Sequence, residues 1–257
     1  MAIQGNAMYL AVLQSGARLI LAGVLATILS ATAAADDYDK ASQAYEAGRF
    51  ATVIRLLEPL ARTGDPRAQH LLGRTHEWAN SRDGVRRDVT RALFWYERAA
   101  KQDYLPAKRS LGRVLAGDGI DAKRGYQLLL DLAKQGDARS QGLLGTFLLR
   151  RSNPAYTKKY HLPGTHEDGL KWLHQAAGRK DTLAAQVLMR WYRNQGLFAE
   201  GYFWDLVVAG IFGEAGPRIL PPISERLTKR QRADVERRAA AWLKARGVKP
   251  VHRVDPK

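Results

Sequence analysis

The side chains best suited to hold a metal or move a proton in this 257-residue chain are six histidines, His70, His76, His161, His166, His174 and His252; no cysteine accompanies them. His76-Glu77 opens like a zinc-protease pair, in which a second histidine four residues on completes the site. Position 80 is Asn80, so the second ligand is missing and His76 reads as a packing residue. His161, His166, Glu167 and Asp168 form the densest potential ligand set, of the kind that suits zinc or nickel. The Pro163-Gly164 break denies it a fixed helical spacing, and no metal is expected. There is no G-x-S-x-G, no P-loop and no dinucleotide fingerprint. Glycoside hydrolysis needs two opposed carboxylates about 5–10 Å apart. Only Glu77 and Asp83 could be nominated, and nothing in the sequence pairs them. Without cysteine there is no disulfide, thiolate metal site or thiol nucleophile. The expectation is a chain that is not an enzyme and has no cofactor.

The residues around these groups repeat. Ala68-Gln-His-Leu-Leu-Gly73 returns as Ala107-Lys-Arg-Ser-Leu-Gly112 and as Ser140-Gln-Gly-Leu-Leu-Gly145, with the glycines 39 and 33 residues apart. A second block follows each: Ala92–Ala100, Gly125–Ala133, Gly169–Ala177 and, more weakly, Gly201–Ala209. Ala92, Trp95, Tyr96 and Ala99 fall at i, i+3, i+4 and i+7, one apolar stripe of a helix, and Tyr126, Leu129, Leu130 and Ala133 repeat it. Glycine inside a helix costs roughly 1 kcal/mol against alanine. Gly73, Gly112 and Gly145 therefore call for a compensation, namely close approach of paired helices with alanine pairs such as Ala99-Ala100 and Ala176-Ala177 opposite. Ser81–Val85 and Gly117–Ile120 read as turns, with Asp88 and Asp121 placed to cap the second helices. Thr63-Gly-Asp65, Lys134–Asp137 and Arg179–Asp181 punctuate the units. Periods of this size mean stacked supersecondary units.

Ala68, Leu72-Gly73, Asp83-Gly84-Val85, Asp88, Arg91-Ala92, Trp95-Tyr96 and Ala99-Ala100 resemble a Sel-one-like repeat, a relative of the tetratricopeptide repeat. The match is close over 66–103, good over 105–136, and partial over 138–179 and 181–210. Residues 44–61 resemble the helix pair that often precedes the first full repeat. The resemblance implies an all-α fold, a right-handed α-solenoid of helix-turn-helix repeats used as an adaptor. It implies no reaction, because the shared positions are packing positions.

The ends give the domain plan. Arg18, the apolar run Leu19–Leu29 and Ser30-Ala-Thr-Ala-Ala-Ala35 read as a signal peptide over 1–35, cleaved near Ala33–Ala35. An uncleaved inner-membrane anchor is the alternative, and the true start is Met1 or Met8. A repeat solenoid over 36–211 follows, then a Pro/Gly linker at 212–227. Thr228-Lys-Arg-Gln231 reads as a capping box opening a helix over 228–247. That helix uses Val235, Ala239, Trp242 and Leu243 to cover the exposed end of the array. Residues 248–257 form a basic flexible tail. The formal net charge is +16, and residues 216–257 contribute +8 of it, with twelve basic and four acidic residues.

A secreted or periplasmic scaffold that binds a protein partner is the functional expectation. An envelope polymer or anionic membrane surface, met by the basic surface, is the alternative, and export argues against nucleic acid. The first helices of the repeats should line the concave wall, with His70, Arg74, Arg109, Arg113, Arg190 and Arg193 on it. The loop between Arg150 and Glu167 is longer than its counterparts. Its Tyr156, Lys158, Lys159, Tyr160 and His161 mix aromatic and basic groups as contact surfaces do. A tolerated surface insertion explains the same loop equally well.

Overall fold

The computed structural model describes residues 35–81, 83–117, 119–150, 164–213 and 223–249. The leader, the loop residues Tyr156 to His161, most of the linker and the last residues of the tail lie outside these. Among the described residues there are α-helices, one short 3-10 turn and no strand. Residues 35–46 are helical (α1). Then come α2 (Phe50–Arg62), α3 (Pro66–Trp78), α4 (Val89–Ala100), α5 (Leu105–Gly117) and α6 (Ala122–Lys134). They are followed by α7 (Ala138–Arg150), α8 (His166–Gly178), α9 (Thr182–Asn194), α10 (Phe198–Phe212), the 3-10 turn Ile223–Arg226 and α11 (Lys229–Lys244). The chain divides into two compact units at Lys108/Arg109, within α5.

In the first unit α3 packs on α2 and on α4. Aspartates begin the helices: Asp65 accepts from the amides of Arg67 and Ala68, and Asp88 from that of Arg91. α2 has no side-chain cap of its own at Arg49. Asp83, from the loop between α3 and α4, supplies it, accepting from the Ala51 amide at 2.7 Å. Gly73 is a packing glycine, as expected, but its neighbour differs. A Cβ there would stand 2.5 Å from the ring of the fully buried Tyr96, so the tyrosine ring, not an alanine pair, comes closest to it. The Tyr96 hydroxyl donates to Glu77 Oε2 at 2.8 Å, and Glu77 is itself buried. Tyr96→Phe should therefore lower stability by about 1–3 kcal/mol, by removing one donor from a buried carboxylate. Chemical denaturation checks this, and an unchanged midpoint would show that the bond contributes nothing net.

In the second unit α6 packs on α7, α7 on α8, α8 on α9, α9 on α10 and α10 on α11. Gly112 meets Leu129 of α6, and Gly145 meets the Gly169 carbonyl and Leu173 of α8. Asp121 caps α6, Asp137 caps α7 and Asp181 caps α9. The turns between repeats are tied by long side chains, which satisfy carbonyls left over near helix ends. Arg179 donates to the Gly136 carbonyl at 2.9 Å, and Gln102 does the same to Gly64 within the first unit. Arg246, just past α11, takes the next such position on the Gly178 carbonyl at 3.0 Å.

Apart from Glu200 and Asp205, α10 is apolar on every side, and Gly201, Tyr202 and the run Trp204–Gly210 are buried. A helix without a polar face must be covered all round. α9 lies on it, and the 3-10 turn and α11 complete the cover. α11 is therefore the capping helix, opened by the Thr228–Gln231 capping box. Val235, Ala239 and Leu243 are buried as expected; Trp242 is only half-buried, lying against Trp204 and under the Arg246 guanidinium at 3.8 Å.

Candidate functional site

The first helices, α3, α5, α7 and α9, share a register set by the packing position: Gly73, Gly112, Gly145 and, in the last copy, Met189. The next residue on each helix is Arg74, Arg113, Thr146 and Arg190. Arg190 is exposed and the other three are half-buried, beside core residues on either side of them. Packing takes the first position of each pair, and the residue after it stays within reach of solvent.

The expected members fare differently. In the first unit, Arg74 lies over the Tyr45 ring at 4.5 Å and Arg67 over Tyr38 at 5.1 Å, so two arginines seven residues apart on α3 stack on two tyrosines seven apart on α1. His70 is wedged between Tyr96 and Tyr104, with ring centroids 5.7 and 5.6 Å away. In the second unit, Arg109 stands 3.7 Å from Asp137, and its buried Nε has no hydrogen-bond partner among the described residues. Arg193 is half-buried, with its Cγ against Gly201. Tyr156, Lys158, Lys159 and Tyr160 lie outside the described residues. Two residues of the same face escaped the sequence reading. Arg139 pairs with Asp181 at 3.2 Å, and Arg150 is exposed at the end of α7. The signal was there, since Arg139 precedes Gly145 by the interval that separates Arg67 from Gly73.

The groups considered for chemistry are used in structure. Among the described residues no three histidines or carboxylates cluster to hold a metal. Asp168 accepts from the Thr165 amide as half of a capping box, and His166 lies against Trp191 at 5.4 Å. His174 bonds the Tyr192 hydroxyl at 3.0 Å and packs on Trp204. His76 is buried, and burial pushes its imidazole below the usual 6.5, with Arg91 adding to the effect and Asp88 and Glu58 opposing it. Burial lowers His174 as well. In both cases the unfolded chain takes a proton below about pH 6.5 that the folded chain refuses. Stability should be fully present above that pH and fall as pH drops through the lowered values. Thermal melts from pH 7.5 to 5.5 test this, and His76→Phe should flatten part of the slope; an unchanged slope would place the titration elsewhere.

By sequence, no family model and no curated protein matches the chain. Solved structures do. The crystal structure of c5321, described as a protective antigen of uropathogenic Escherichia coli strains displaying an SLR fold, superposes with a TM-score of 0.53 at 19% identity. It covers 80% of this chain, while the chain spans 45% of that one. A Sel1 repeat protein from Oxalobacter formigenes matches with a TM-score of 0.48, 18% identity, and 83% and 78% coverage. Pseudomonas aeruginosa 5086 matches with 0.47, 19%, and 80% and 83%. With its paired helices, packing glycines and capped turns, this chain has the Sel1-like repeat fold.

Proposed function

We propose that the chain is a non-catalytic scaffold that binds a protein partner through the exposed face of its first helices. The observation that carries this reading is the row of residues after each packing position within the second unit, Arg113, Thr146 and Arg190. At these positions the side chain stays within reach of solvent, while the packing residue before it is buried. Repeat folds of this kind offer surfaces, since each unit spends its repeating positions on its neighbours. Export by a leader cleaved near Ala33–Ala35 belongs to the same proposal. Mature protein recovered from the envelope fraction should begin near Asp36, and recovery of an intact leader would replace it with a membrane-tethered form.

Site-specific photocrosslinking tests the binding face. A photoreactive residue at Thr146 or Gln186, on first helices, should capture a defined partner that rebinds as a purified protein. The same group at Arg98 or Lys123, exposed on second helices, should not. Capture only from the second helices would overturn the reading, and turnover of a substrate by the purified chain would overturn its non-catalytic part. A second reading is favoured by α11, where Lys229, Arg230, Arg237, Arg238 and Lys244 are all exposed. It makes the basic C-terminal surface a contact for anionic envelope polymer or membrane. Arg237 and Arg238 are engaged with Asp234 and Glu200, which leaves less of that charge to offer.

A further inference from the structure

The first helices of the second unit carry charge of one sign only. From Arg109 onward, α5, α7 and α9 contain Arg109, Arg113, Arg139, Arg150, Arg190 and Arg193, and no aspartate, glutamate or lysine. All six are at least partly exposed. The second helices beside them are mixed: α6 carries Asp131 with Lys123, Arg124 and Lys134, and α8 carries Glu167 and Asp168 with Lys171. A basic composition alone would not sort acids away from one set of helices.

Where the turns bring a carboxylate to this face, arginine takes it. Asp137, the cap of α7, lies 3.7 Å from Arg109 of α5, and Asp181, the cap of α9, lies 3.2 Å from Arg139 of α7. Carboxylates thus already bridge each first helix to the next near the starts of α7 and α9. Further along the helices come Arg113, Arg150, Arg190 and Arg193. The negative end of a helix favours cations in its last turn, which accounts for Arg150 and Arg193. It does not account for Arg113 and Arg190, which lie before the last turn of α5 and α9 and share one repeat position.

We infer that this row binds an extended acidic peptide segment of the partner, one carboxylate to each first helix; the inference rests on the scaffold reading above. A guanidinium presents a planar fork that matches a carboxylate with two parallel bonds. Packed helices lie about 8–10 Å apart, and a peptide in the extended polyproline II form advances about 3.1 Å per residue with three residues to the turn. Acids at every third residue therefore lie on one side of it and keep step with successive first helices. Thr146, at the equivalent position of α7, adds no charge, and its hydroxyl donates to the Gly142 carbonyl of its own helix at 2.7 Å.

The test uses the whole mature chain and a fluorescein-labelled peptide of four Glu-Ser-Ser triplets, read by anisotropy at low and at physiological salt. The wild type should bind, more weakly as salt rises. R113Q/R190Q should weaken binding at least about tenfold, because it removes two charge-assisted contacts. K229Q/R230Q, on α11, should stay within about twofold. R190E, a single change at an exposed position, serves as a second variant and should cost at least about fivefold. The inference falls if the peptide does not bind, or if both double variants lose affinity equally. It also falls if single-stranded oligothymidylate or phosphatidylglycerol vesicles bind more tightly than the peptide. A partner that crosslinks to the first helices yet ignores these substitutions keeps the scaffold reading and removes the acidic one.

Discussion

Gly125→Ala should destabilise the second unit by about 1–3 kcal/mol or more, although alanine is the better helix former by roughly 1 kcal/mol. A Cβ at Gly125 would stand 2.4 Å from the Ala116 amide nitrogen and 2.7 Å from the Gly112 carbonyl oxygen. Both are backbone atoms of α5, so no side-chain rotamer can relieve the overlap, and the two helices must separate. Gly117 is the internal control. It also belongs to α5, but a Cβ there meets nothing within 4 Å. Gly117→Ala should be neutral or stabilising by up to about 1 kcal/mol. Denaturant unfolding of the two variants reads the difference. If both move the midpoint the same way, propensity and not helix approach governs these glycines.

The second large effect is expected at the cap. Leu243 is 2% exposed, and its side chain closes on Gly210 of α10, where an added Cβ would lie 2.7 Å from Leu243 Cδ1. Leu243→Ala should cost about 2–5 kcal/mol by opening a cavity against the most apolar helix of the fold. Trp242→Ala should cost less, about 2 kcal/mol, since the indole is half-buried and its loss leaves no closed void. In the sequence the tryptophan is the largest residue of the apolar face; in the structure the smaller leucine is the one fully buried. A thermal-melt series in which Trp242→Ala is the more damaging change would show that the aromatic contacts with Trp204 and Phe203, and not the buried leucine, hold the cap.

What the sequence by itself determined were the features encoded locally. Helix boundaries were legible because Asp65, Asp88, Asp121 and Asp181 stand a fixed step before the amides they accept from, and a cap needs only its own next turn. Packing glycines were legible because a residue that weakens a helix and recurs at a repeat period needs a tertiary reason. The first-helix arginines were legible as polar residues among packing positions, and the same register places Arg139 six residues before Gly145, as Arg67 stands before Gly73. Only the tertiary structure decided who meets whom. Asp83 caps α2 from a loop 32 residues away, Tyr96 and not an alanine pair fills the space at Gly73, and His70 is occupied by two tyrosine rings. Each depends on side chains from different helices arriving at one point, and chain spacing carries no term for that. The separation of charge across helices lies between the two cases. Its residues can be read from the sequence, but it becomes a surface only when α5, α7 and α9 are joined by the Arg109–Asp137 and Arg139–Asp181 pairs.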